Sequence, residues 1–247
     1  MLYVCVLYVC DWLYSLRLSR RLLRAYVPLR SAALVLTMAS PVGTVASLFP
    51  MFDSKDPKKS CEEKVRRSLE RCGKVRFLVE ALEKMGCPLP KDYIQCAECS
   101  DENGACRGGF GPFGENGQTG IVICQNSINI NEGEGGAGQT AVDVTLAHEL
   151  IHAFDHARAK VDWTSARHHA CSEIRAASLS GDCDFKREWD RFGGFRDIRA
   201  RHQECVKRRA TLSVSGNPNC TVDEAKAAVE ATFEACYADT APFDKNP

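Results

Sequence analysis

Net charge is the first thing this chain lacks. Lysine and arginine total 32, as do aspartate and glutamate, across 247 residues. No overall field draws such a molecule to nucleic acid or to an acidic surface, and composition gives no ground for nucleic-acid binding. No internal repeat is visible. The opening "MLYVCVLYVCDWLYSL" has no positive charge ahead of its apolar run and contains Asp11, which makes it a poor secretory signal. A clean membrane span is also missing: the uncharged run from Ser31 to Phe52 is interrupted by Pro41, Gly43 and Pro50. What is present is "RLSRRLLRAYVPLRSAALVL", in which Arg17, Arg20, Arg21, Arg24 and Arg30 interleave with leucines and no acidic residue occurs. That is the cationic amphipathic chemistry of a transit peptide. Residues 1–53 therefore read as a leader and 54–247 as one folded domain, long enough for a substantial core.

Cysteine is the opposite case. Of the 14, only Cys5 and Cys10 lie in the first fifty residues, and the other twelve run from Cys61 to Cys236. An oxidising compartment would let such an even set form cross-links, whereas a reducing cytosol gives little reason for it. "CAEC", Cys96 to Cys99, has half of a zinc-knuckle spacing, but no second close pair of cysteines or histidines follows, so disulfides are the preferred reading.

The domain opens with "SCEEKVRRSLERCGKVRFLVEALEKMG", where Val65, Leu69, Cys72, Val75, Leu78, Leu82 and Met85 recur at three- and four-residue steps. That periodicity predicts one amphipathic helix, ended by Gly86 and Pro88. Cys61 and Cys72, three turns apart, are expected to bond to partners elsewhere rather than to each other. The glycine- and cysteine-rich stretch from Cys96 to Gln118 reads as a loop or small subdomain. "TGIVICQNSINI" favours extended structure, either as a plain core strand or as an edge that pairs with substrate. Beyond the central motif, "SARHHACSEIRAASLSGDC" predicts a helix closed near Gly181, and "FKREWDRFGGFRDIRARHQECVKRRA" is polar and ends cationic. "NPNCTVDEAKAAVEATFEACYAD" predicts a turn, a capping box from Thr221 to Glu224, and an alanine-rich helix. The expected fold is helix-dominated α+β with one small sheet.

Within "TLAHELIHAFDHARAKV", His148 and His152 are four apart, so on a helix both rings face one point, with Glu149 on the adjacent edge. Val142, Leu146, Ala147, Leu150, Ile151 and Phe154 surround them, and two imidazoles and a carboxylate in such surroundings need a compensating partner, which a divalent cation supplies. Asp155 faces the same way but lies about 10 Å along the axis. It is expected outside the ligand set, orienting His152. The third ligand should arrive from the following helix, where His168, His169 and Glu173 are available; Glu173 is preferred by analogy with two-histidine, one-glutamate sites, and His169 is held in reserve. Three protein ligands leave a position for water, and Glu149 is placed as its general base for amide hydrolysis.

"HELIHAFDHARAKVDWTSARHHACSEIRAASLSGDC", residues 148–183, resembles the mitochondrial inner-membrane metalloprotease family, whose animal members are also called Ku-binding proteins. The similarity runs from about Cys61 to Cys236 and includes "GIVICQNSINI", "HQECVKRRA" and "NPNC". The resemblance implies a zincin-like fold, zinc held by His148 and His152, and catalysis by Glu149. It further implies an enzyme bound peripherally to the inner membrane and facing the intermembrane space. The implied partners are the precursor of the ATP synthase proton-channel subunit, which such enzymes mature and help assemble, and other intermembrane-space proteins. A mainly protease-independent chaperone of the same subunit is the alternative. A nuclear, Ku-linked role fits poorly with twelve cysteines that look paired.

Overall fold

In the computed structural model, the residues described are 56–99, 106–113, 118–127, 137–159, 161–184 and 198–247. The leader, Ile128, Ile130, most of the glycine-rich connection before Ala137, and Gly193 with Gly194 lie outside them. Helix α1, Pro57–Arg71, starts where the Asp56 carboxylate accepts a hydrogen bond from the Lys58 amide, with Pro57 at the first helical position. The long helix expected over Cys61–Met85 is in fact two. Cys72 is extended (φ −77°, ψ 111°), and α2 restarts at Gly73 and runs to Lys84. One extended residue followed by glycine stops a helix without disturbing the three- and four-residue apolar rhythm, which is why the pattern runs across the break. Gly86, at φ 79°, turns the chain out of α2.

The sheet has three strands in the order β1 (Ile94–Ala97), β3 (Gln118–Cys124), β2 (Gly108–Phe113), with β1 parallel and β2 antiparallel to β3. Two expectations change here. The stretch from Cys96 to Gln118 contributes strand as well as loop, and β3 is the central strand, its Ile121 and Ile123 buried. An added strand therefore cannot pair with "TGIVICQ"; the edge on the far side from β1 belongs to β2. "GGFGPF" has poor β propensity and is a strand because β3 pairs with it and a helix supports it. Pro112, which lacks an amide donor, is tolerated at such an edge. A Cβ on Gly108 would sit 2.8 Å from Thr145 Cγ2 and 2.9 Å from the Val122 carbonyl oxygen, so only glycine permits this approach.

Helix α3, Ala137–Arg158, crosses this layer; α4 (Ala166–Leu179), α5 (Ile198–Val214) and α6 (Val222–Ala238) complete the fold. Ser165 caps α4, Gly181 at φ 95° closes it, and the Thr221–Glu224 capping box starts α6 as expected. One core gathers α1, α2, the sheet and α3, with Val75, Leu78, Ile123, Leu146, Leu150 and Ile151 fully or almost fully buried. A second gathers α4, α5 and α6 around Ile174, Val206, Val229 and Phe233. The contact of α3 with α4 lies where the two cores meet.

Disulfides tie these pieces together. Cys61–Cys96 joins α1 to β1, Cys99–Cys124 closes the sheet's connection, Cys171–Cys236 joins α4 to α6, and Cys183–Cys205 joins the end of α4 to α5. Cys96 and Cys99 are thus bonded to sulfur and do not form a zinc knuckle. Cys72 and Cys220 carry thiols, so the twelve do not pair completely among themselves. Cys171–Cys236 closes the longest loop of the four, 65 residues apart in sequence. Replacing both cysteines by serine is expected to lower unfolding free energy by about 4 kcal/mol through the larger entropy of the open chain. Guanidinium denaturation under non-reducing conditions measures it.

Candidate metal centre

Helix α3 carries His148, Glu149 and His152 on the face that meets α4. Successive turns stack the two rings edge to face, with centroids 4.8 Å apart. Glu173 enters from α4. Its Oε2 lies 3.3 Å from His148 Nε2 and its Oε1 lies 3.4 Å from His152 Nε2. One donor atom from each of His148, His152 and Glu173 falls within 4.8 Å of the others, and no other such group of histidine, cysteine and acidic side chains occurs among the described residues.

Hydrogen bonds determine which nitrogen of His152 faces inward. Ser172 Oγ donates to Asp155 Oδ2 at 3.0 Å, and it lies 2.8 Å from His152 Nδ1. A hydroxyl has one proton to give, so Ser172 accepts from Nδ1–H and the lone pair of His152 sits on Nε2. That lone pair points at the Glu173 carboxylate. Two electron-rich atoms in a dry interior require positive charge between them, and the donor set, two imidazoles and a carboxylate, is one that binds a divalent metal. The residues fit a metal ion.

Asp155 lies outside the donor group. It acts on His152 through Ser172 and is itself held by Arg175 Nε, at 3.0 Å and 3.1 Å, and by Arg158 Nε at 3.0 Å. Arg175 also donates to the backbone carbonyls of Asp239 and Ala241, so the segment after α6 is fastened beneath the site. His168 is exposed, and its Nδ1 accepts from the Asp162 amide at 3.0 Å. His169 is buried, with Nε2 3.3 Å from Glu173 Oε1, but stays outside the three-donor group. Ser172, Arg175, Ser213 and Asn217 were not identified from sequence. Only Arg175 left a trace, as a full charge inside the small-residue run "EIRAA".

Burial pushes the Glu149 carboxyl up to about 7, with the charge of His152 opposing and that of Glu173 adding. Burial also works against ionised Glu173. With no cation bound and the rings protonated, the charge of His152 and hydrogen bonds from His148, His152 and His169 outweigh it and hold Glu173 well below the usual carboxylate range. Their surroundings therefore drive the two carboxyls in opposite directions, Glu173 toward the anion and Glu149 toward a proton affinity near neutrality. Gly108 of β2 approaches Glu149, since a Cβ there would lie 3.5 Å from Glu149 Cγ.

A buried helix that supplies two imidazoles and a glutamate in five residues, completed by a carboxylate from the next helix, is the arrangement of HExxH metallopeptidases. This chain belongs to the peptidase M76 family, whose model matches residues 59–244. It is 40% identical over 199 residues to the mitochondrial inner membrane protease atp23 of Schizosaccharomyces pombe, covering 78% of this chain and 98% of the relative. It is 43% identical over 179 residues to mitochondrial inner membrane protease ATP23 of Saccharomyces cerevisiae, covering 69% and 71%. With the human mitochondrial inner membrane protease ATP23 homolog it shares 40% identity over 193 residues, 76% and 71% of the two chains. No solved structure matches. The chain is accordingly a metallopeptidase of the mitochondrial inner membrane. No helix among the described residues is long and apolar enough to cross a membrane.

Proposed function

We propose that the chain is a zinc-dependent endopeptidase, peripherally bound to the inner membrane on its intermembrane-space side. There it matures the precursor of the ATP synthase proton-channel subunit and assists its assembly. The observation that carries the enzymatic part is the convergence of His148, His152 and Glu173 beside a buried Glu149. Four disulfides among the described residues suit a compartment where thiols are oxidised. The substrate rests on the resemblance carried by residues 148–183.

His148, His152 and Glu173 would hold the zinc, which when bound supplies a Lewis acid for the scissile carbonyl and lowers the pKa of water. Glu149 takes the proton of the attacking water and returns it to the leaving amine. Ser172 and Asp155 keep the His152 proton on Nδ1 throughout. The outer edge of β2, unpaired by any other strand among the described residues, runs beside Glu149 at Gly108 and offers backbone donors and acceptors to an extended peptide with little demand on side-chain identity.

Metal analysis of the purified full chain tests the ligand set. The wild type is expected to carry about one zinc and to lose activity to chelators, with three protein ligands and one open position. Glu173→Ala is expected to lose the metal far more readily than Asp155→Ala. Equal zinc in wild type and Glu173→Ala would remove Glu173 from the set. Incubation with the subunit precursor tests the substrate, and an uncut precursor in the presence of zinc-loaded wild type would overturn that assignment.

A further inference from the structure

Glu173 is also held by residues that donate no atom to the three-donor group. Ser213 of α5 donates its hydroxyl to Glu173 Oε1 at 2.6 Å. His169, one turn before Glu173 on α4, places Nε2 3.3 Å from the same oxygen. Behind His169 stands Asn217, which is 2% exposed.

The orientation of the Asn217 amide follows from its neighbours. Its Oδ1 accepts from the Asn219 backbone amide at 2.9 Å and from Asn219 Nδ2 at 3.1 Å. Its Nδ2 donates to the Trp163 carbonyl at 3.0 Å and lies 3.1 Å from His169 Nδ1. Nδ2 has two protons and no lone pair to offer, so His169 Nδ1 is the acceptor. The neutral His169 ring must then carry its proton on Nε2, aimed at Glu173 Oε1. A nitrogen protonated in this way is a hydrogen-bond donor and has no lone pair for a metal.

We infer that His169 and Asn217 are positioning residues for the metal centre. Asn217 sets the His169 tautomer, and His169, with Ser213, clamps one oxygen of Glu173 so that the carboxylate meets the His148–His152 pair in a single rotation. The inference rests on Glu173 being a ligand, as proposed above. It explains why the turn after α5 is built from "NPNC": Asn217 needs Asn219 to hold its oxygen, and Trp163 and His169 to receive its two protons.

The test uses the zinc-loaded full chain labelled with nitrogen-15. Long-range proton–nitrogen correlations are expected to show His169 protonated at Nε2 and bare at Nδ1; the reverse tautomer would overturn the inference, and this readout needs no variant to fold. Zinc affinity, measured by competition with a chromophoric chelator, is expected to fall about 10- to 100-fold in His169→Leu. It should be largely restored in His169→Gln, whose amide N–H can stand where Nε2–H stood. Wild-type affinity in His169→Leu beside a zinc-deficient Glu173→Ala would sink the positioning role alone. Wild-type affinity in Glu173→Ala would sink the ligand assignment beneath it.

Discussion

Glu149→Gln is expected to keep its zinc and lose peptide cleavage by about 10²- to 10⁴-fold in kcat/KM, the range associated with a positioned general base. Glutamine has nearly the shape of the glutamate it replaces, so the packing around a residue only 6% exposed is preserved. What disappears is the site that accepts a proton. The metal should remain because Glu149 is not one of the three grouped donors. Parallel metal analysis and precursor cleavage settle the matter, and undiminished turnover in the zinc-loaded variant would remove Glu149 from the mechanism. The same protein has a second use: if it restores ATP synthase assembly in cells lacking the enzyme, assembly depends on binding rather than on cleavage.

A large stability effect is expected at Arg175. Its side chain is 1% exposed, and its guanidinium serves Asp155 through Nε, the Asp239 carboxylate at 2.7 Å and carbonyl through Nη1, and the Ala241 carbonyl through Nη2. Arg175→Met preserves much of the length and removes every donor. The Asp155 and Asp239 carboxylates and two carbonyls lose this partner at once, and breaking one side of a buried ionic network costs about 3–5 kcal/mol. Arg158 still reaches Asp155 and, at 2.6 Å, Asp239, which keeps the loss from being larger. Guanidinium unfolding reads the change. Zinc affinity should fall with it, because Asp155 holds Ser172 and Ser172 holds the proton of His152. An unchanged unfolding midpoint would show that the network contributes nothing net.

These expectations differ in how far the amino-acid order foretells them. Helical periodicity located the apolar face of α1 and α2, because burial of one stripe repeats every three or four residues wherever a helix packs, whereas a capping box and an alanine-rich run marked α6. Periodicity did not register the extended residue at Cys72, where the rhythm continues although the helix stops. Strand β2 was hidden for a different reason. Glycine and proline in "GGFGPF" argue against a strand, and the strand exists through pairing with β3 and close approach to α3 at Gly108. Of the two readings open for "TGIVICQ", core strand or substrate-pairing edge, only the first survives, and sequence could not choose because β propensity marks strands buried at the centre of a sheet as readily as those at its edge.

Order along the chain was sufficient for two imidazoles one turn apart with a glutamate beside them, since α-helical geometry relates residues four apart with no help from the rest of the molecule. Cysteine number likewise announced cross-links, though not which sulfurs join. The tertiary structure alone decided that α4 approaches closely enough for Glu173 to meet both rings, that Asp155 acts through Ser172, and that Asn217, 48 residues from His169, selects its tautomer. Such contacts depend on how helices cross and on which polar groups are left to find partners once water has gone. No local pattern encodes that.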